Sequence, residues 1–254
     1  MVDKENILDK TIELANELGY SEVIAEYDTG HDWQIRFSNS SQDIFKKWKN
    51  DTLDVFVVKE QKTTALQIKS PTVEEIQTKL ESALKFLKAS PNSQMYKGME
   101  TKIKPFSQIE GIYDSRTKSF HQKAPDLVES AINSAKNEGV HKVAGVLYFG
   151  IENTALQTSH GFSGNYDSSS YRMTIRSFMD AESSGQGIVC GRSLENIEQK
   201  INRAGERSGQ IAKMATNPKI GKAGTYDVIL SPTVAANIFG HITDAANPLD
   251  IMLG

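Results

Sequence analysis

The chain has 254 residues, 38% of them hydrophobic, with a net charge of −3 and a pI near 6.0. That balance excludes a strongly basic nucleic-acid or anionic-membrane surface, and no apolar run approaches the ~20 residues a membrane helix needs. Cys190 is the only cysteine, which excludes an intrachain disulfide and a thiolate metal cluster. The charged start "MVDKENILDK" has no signal-peptide core, so a soluble cytoplasmic protein is expected.

Residues 4–18 read as a helix, with Ile7, Leu8, Ile12, Ala15 and Leu18 on one face and Gly19 as terminator. Two short strands follow, "SEVIAEYD" and "DWQIRFS", joined across Thr29-Gly30-His31. Residues 43–69 carry more β signal, with "LDVFVV" and "TTALQI" forming a hairpin around Lys59–Lys62. Thr72 and Glu75 make a capping box for a helix over 73–88, whose buried side is Val73, Ile76, Leu80, Leu84 and Leu87.

Residues 89–124 lack periodicity and read as a connector packed on the surface, since Tyr96, Phe106, Ile109, Ile112 and Tyr113 need cover. A helix over 127–138 follows, with Asp126 and Glu129 as a capping box and Gly139 at its end. The strands "HKVAGVLYFG" and "TALQTS" flank Glu152-Asn153, and a longer strand covers 169–180. The bend "SSGQG" leads to a short strand "IVC", and Ser193 caps a helix to about residue 214. A strand over 225–230 and a helix over 232–240, capped by Ser231 with Pro232 at its first position, close the series.

Helix, strands, helix occurs twice. A shift of 120 residues puts Ile12 on Ile132, Ala15 on Ala135, Gly19 on Gly139, Val23 on Val143 and Gly30 on Gly150. The matches are helix-face residues and turn glycines, which predicts an α-β(n)-α duplication. The expected class is α+β with mostly antiparallel sheets, because the strand–helix alternation of a parallel sheet is absent. The expected organisation is a first repeat at 1–88, a connector at 89–124, a second repeat at 125–215, and from 216 to 254 the start of a C-terminal domain that is missing.

Chemistry is sparse along the chain. Of His31, His121, His141, His160 and His241, only His241 has a possible metal partner one helical turn away, Asp244, and that lies past the expected helix end at Gly240. His160, His241 and Asp244 are the weak metal candidates. Ser159, His160 and Asp167 sit within nine residues but lack the G-x-S-x-G elbow of a hydrolase, and a polar loop explains them. "SGQGIVCG" is not a phosphate-binding loop, and a glycine-rich turn is the simpler account. Cys190 reads as a small buried strand residue. "KPFSQIEGIYDSRTKSFHQK" mixes aromatics with cations in the manner of a single-strand nucleic-acid surface, but its interspersed acids make it a solvated connector.

Several stretches together resemble the TldD/PmbA family, once called modulators of DNA gyrase and now placed with metallopeptidases. They are "PDLVESAINSAKNEGVHKVAGVLYFGIENTALQTSHG", "LQIKSPTVEEIQTKLESALKFLKASPN" and "NPKIGKAGTYDVILSPTVAANIF". Ala144-Gly145 match the family's strand entry, and Thr158-Ser159-His160-Gly161 match its N-S-x-G turn except that Thr replaces Asn. In the catalytic TldD branch the last stretch runs into H-E-x-x-x-H, two zinc ligands and a general base. Here "FGHITDA" stands instead: Gly240 is near the first ligand's place, no Glu follows His241, and Ala245 sits where the second histidine would be.

The resemblance therefore implies the PmbA/TldE branch, with no catalytic, cofactor-binding or metal residue in this chain and zinc held by a TldD-like catalytic partner. It implies a non-catalytic subunit of a heteromeric peptidase that acts on unfolded or peptide substrates in cytoplasmic proteolysis or peptide maturation; the sequence itself points to no membrane, and its charge balance gives nucleic acid little support. A zinc-dependent peptidase in its own right is the alternative, and a nucleic-acid or DNA gyrase-associated modulator the second.

Overall fold

The computed structural model describes residues 4–101, 109–248 and 251. The chain divides into two units, one through Thr216 and one from Asn217. In chain order the first unit contains helix α1 (Lys4–Glu17), strands β1 (Glu22–Ser38), β2 (Ser41–Lys59) and β3 (Lys62–Lys69), and helix α2 (Val73–Ala89). A 3-10 helix (Ser115–Gln122) then precedes helix α3 (Ala124–Lys136), strands β4 (Lys142–Thr158), β5 (Ser163–Phe178) and β6 (Ser184–Gly191), and helix α4 (Ile197–Met214).

The strands form one antiparallel sheet in the order β3-β2-β1-β4-β5-β6. The class is α+β, and the α-β-β-β-α unit is present twice. Glu22 faces Val58 in the first repeat, and 120 residues on in both strands Lys142 faces Phe178. The same shift carries β1 onto β4 end for end. The two repeats meet where β1 pairs with β4, around Gly30 opposite Glu152.

Alternation in the strands buries one face only. Val23, Ala25, Leu53 and Val55 pack with Ile7, Leu8, Ile76 and Leu80 in the first core. Ile35, Phe37, Val143, Leu147, Met173 and Ile175 pack with Val128, Ile132 and Ile201 in the second. Because β1 and β4 are 17 residues each, they serve both cores in turn: β1 ends among the second repeat's apolar residues, and Ala155 of β4 lies against the first.

Local chemistry closes the elements. Asn39-Ser40 and Glu60-Gln61 all have positive φ, as two-residue hairpin turns require. Gly19 (φ 74°) and Gly139 (φ 88°) end α1 and α3 in the left-handed region, as expected from the sequence. The Thr72 hydroxyl accepts the Glu75 N–H at 3.2 Å to cap α2.

Several expectations are corrected: α4 starts only at Ile197, after Asn196, so Ser193 does not cap it, and Val73 at the start of α2 is exposed. β1 does not break at Thr29-Gly30-His31, nor β4 at Glu152-Asn153. A Cβ at Gly30 would stand 2.2 Å from the Ile151 carbonyl oxygen, so this glycine lets two strands approach and makes no turn. α3 starts at Ala124 with Pro125 in its first turn, and Asp126 is inside the helix with no capping role. "SSGQG" belongs mostly to β6, where Gly185 and Gly187 face α4. Cys190 is exposed.

In the second unit, residues 225–230 form no strand. Helix α5 (Pro232–Ala245) runs through Gly240, with the Ser231 hydroxyl accepting the Val234 N–H at its start. His241 and Asp244 therefore lie on the same helix.

Candidate functional site at the junction of the repeats

The two apolar cores stop short of the β1–β4 midpoint, and the residues between them are polar. On the helix-bearing face this leaves a groove of about 670 Å³ lined in part by Tyr27, Thr29, His31, Lys49, Asp51 and Asp167. Tyr27 and Lys49 both donate to the Asp51 carboxylate, at 2.6 and 2.7 Å. Asn153 donates to Asp167 at 2.8 Å, and Lys118 stands 5.9 Å from the Tyr113 ring. Burial lowers the His31 pKa, and Lys47 and Lys49 lower it further.

The other face of the same crossing is acidic. Asp28 accepts from Thr154 at 2.5 Å, and Asp32 accepts from Asn50. Burial, then Asp28 and Asp32, raise the Glu152 pKa, and burial, then Asp28 and Asp54, raise that of Glu26. Among the described residues no three His, Cys, Asp or Glu side chains converge to hold a metal ion.

The residues singled out in the sequence do not assemble into a catalytic group. Ser159 pairs with Val23 as a continuation of the sheet, its hydroxyl accepting the Val23 N–H at 3.0 Å. His160 lies 3.2 Å from Glu22, which also accepts from Tyr96 and from the Met99 N–H. Asp167 sits opposite Asn153, six residues back along β4 from Ser159 and so about 20 Å away.

Part of the connector packs on the sheet, but Ile109, expected to need cover, is 71% exposed. Phe120 is buried, and its neighbour His121 stacks on Trp33 at 5.6 Å. Residues 102–108, including Phe106, lie outside the described residues. Tyr27, Lys49 and Asp51 were not foreseen as site residues; the signal was the shared polar interruption at the midpoints of two otherwise apolar strands.

Asp114 ties the connector to the start of α4. Arg116 grips its carboxylate through Nη2 at 2.6 Å and Nε at 2.8 Å, and the Leu194 N–H donates at 2.8 Å. The Arg116 hydrogen bonds, then the Leu194 and Arg116 amides, hold this carboxyl well below the usual range. A depressed carboxylate adds stability above its unfolded value and loses it as pH falls through the folded one. Asp114→Asn is expected to lower the melting midpoint by about 4 °C at pH 7. The gap to the parent should shrink steadily below pH about 4, as thermal melts across pH will show.

Comparison with known proteins places this geometry. Residues 113–214 match the model of the PmbA/TldA metallopeptidase central domain. No curated protein matches the sequence. Among solved structures, a protein described as a modulator of DNA gyrase from Thermotoga maritima superposes with a TM-score of 0.71 at 19% identity, over 87% of this chain and 50% of its own. A second protein so described, from Bacteroides thetaiotaomicron, gives 0.72 at 13% identity, over 87% and 52%. TldE from Thermococcus kodakarensis gives 0.61 at 14%, over 81% and 47%. At these identities the likeness is one of fold, and the chain spans about half the length of each.

Proposed function

We propose, for a chain whose residues 113–214 belong to the TldD/PmbA family, a PmbA/TldE-like subunit that handles peptide for a TldD-like partner holding the zinc. The complex is a heteromeric metallopeptidase of the cytoplasm, and this subunit does no hydrolysis itself. The observation that carries the reading is the side-chain content of α5. A zinc peptidase helix must present two imidazoles and a carboxylate from successive turns. Read from Gly240, the six positions end at Ala245 with His241 in the base's place; read from His241, they place Ile242 there and end at Ala246. Neither register supplies a second ligand or a base, so these residues do not fit a catalytic zinc. The likeness to TldE supports the reading at the level of the fold.

The test is co-purification with a TldD-like protein, followed by a peptide hydrolysis assay. Activity that appears only on mixing and disappears with a chelator supports the proposal. Failure to associate, or stoichiometric zinc in the lone chain with activity lost on His241→Ala, overturns it.

A further inference from the structure

β2 has 19 residues, but β3 covers only its second half. Thr52 opposite Lys69 is the last pair; beyond it Ser70, at φ 50°, and Pro71 turn the chain off the edge. The Ser70 N–H donates to the Asp51 carbonyl at 2.7 Å. Main-chain groups of a strand point alternately to its two neighbours, so Asp51 sets the phase. Phe45, Lys47 and Lys49 direct N–H and C=O away from β1, and no described residue bonds them.

The second repeat shows what fits such an edge. Lys49 corresponds to Ser169 after the 120-residue shift. There β6 has ended, and the connector takes its place along β5: the Ser169 N–H donates to the Ile112 carbonyl at 2.9 Å. The Asp114 N–H donates to the Ser169 hydroxyl at 2.8 Å, from an extended backbone (φ −125°, ψ 107°). The first repeat has the same edge without that cover among the described residues.

The side chains select what would lie there. Lys46, Lys47 and Lys49 are exposed, and three lysines alone would read as a guard against edge-to-edge aggregation. A guarded edge does not also leave Phe45 51% and Trp48 38% exposed, one on each face of the strand. We propose that residues 45–49 bind an extended, acidic stretch of a peptide substrate as a seventh strand of the sheet. Main-chain hydrogen bonds supply affinity, the two rings cover alternate side chains, and the lysines choose acidic sequences.

A second copy of this chain is the poorer occupant, because edge-to-edge pairing sets lysine against lysine. Single-stranded nucleic acid would meet the rings and the cations but leave the outward N–H and C=O groups unmatched. The source of the peptide rests on the proposed function; the binding does not.

The test is fluorescence anisotropy of a labelled ten-residue peptide alternating Glu and Val, titrated with the chain alone. Binding is expected, with none for the matching Lys and Val peptide. Lys47→Pro removes an outward N–H and leaves the β1 ladder intact. It should weaken binding by about tenfold or more, while Lys47→Gln, which keeps the N–H, costs about threefold. A peptide methylated on alternate amides should fail against the unaltered protein, whatever the folding of the proline variant. Equal binding of the methylated or the lysine peptide, or full displacement by oligothymidylate with no effect of Lys47→Pro, overturns the proposal. Peptide binding without partner association would sink the heteromeric function and leave the edge site standing, and association without peptide binding would do the reverse.

Discussion

Trp33→Ala is expected to destabilise the first unit by roughly 4 kcal/mol, which for about 200 residues lowers the melting midpoint by roughly 12 °C. The indole is 4% exposed and is the centre of a stack. Phe149 lies on one side, with ring centroids 5.4 Å apart and planes 5° from parallel, and His121 packs at 5.6 Å and 3°. Phe120 completes the set, edge-on to Phe149 at 4.9 Å. These rings are what hold the 3-10 helix of the connector against the sheet. Removing the indole opens a cavity between groups that belong to β2, β4 and the 3-10 helix, and a stacked β-sheet floor cannot collapse to fill it. Lys47, 5.3 Å above the same ring, loses its seat as well. Trp33→Phe keeps most of the stack and should recover more than half of the loss in urea or thermal titration. A Trp33→Ala midpoint within about 3 °C of the parent would mean the stack contributes little.

The repeat was legible in the sequence because it lies in residues whose physics is local. Gly19 and Gly139 must take positive φ, Ala15 and Ala135 must be small against the sheet, and Thr72 must cap. What was not legible depends on tertiary context. Thr29-Gly30-His31 and Glu152-Asn153 look like turns because turns are polar and glycine-rich. They are instead the point where two long strands cross from one core to the other, and only the sheet order reveals it. The same event hid the groove, since Tyr27, Lys49, Asp51 and Asp167 come from three strands whose registers were not known. The exposed edge at 45–49 was hidden for a related reason. Nothing in "FKKWK" tells where its neighbour β3 stops; that is set by Ser70-Pro71, some twenty residues on.

The glycines of β6 and α4 carry the second large effect. A strand glycine usually weakens a sheet, yet Gly185 and Gly187 lie in an edge strand that holds. The reason is α4, which packs against β6 at backbone distance. A Cβ on Gly187 would be 1.9 Å from the Ala204 carbonyl oxygen, and one on Gly185 2.3 Å from the Ala212 nitrogen. α4 cannot retreat from β6, because its other side is equally close to α3: a Cβ on Gly205 would be 2.2 Å from the Ala131 carbonyl oxygen. The helix is thus clamped between main chains on two sides, and the obstruction in each case is backbone, which cannot rotate away. Gly187→Val and Gly205→Val are each expected to cost roughly 3 kcal/mol, at the upper end of overpacking because two neighbours must move together. Because the two clashes press the same helix from opposite sides, a shift of α4 that eases one tightens the other, and the double variant should be destabilised by more than the sum of the singles. Gly221→Val, with nothing within 4 Å, serves as the control and should leave the unfolding midpoint unchanged. Additive or smaller combined losses for the two clamp substitutions in chemical denaturation would show that α4 is not held between the two seams as a unit, and a loss below about 1 kcal/mol for either would show that the seam is not as tight as these contacts make it.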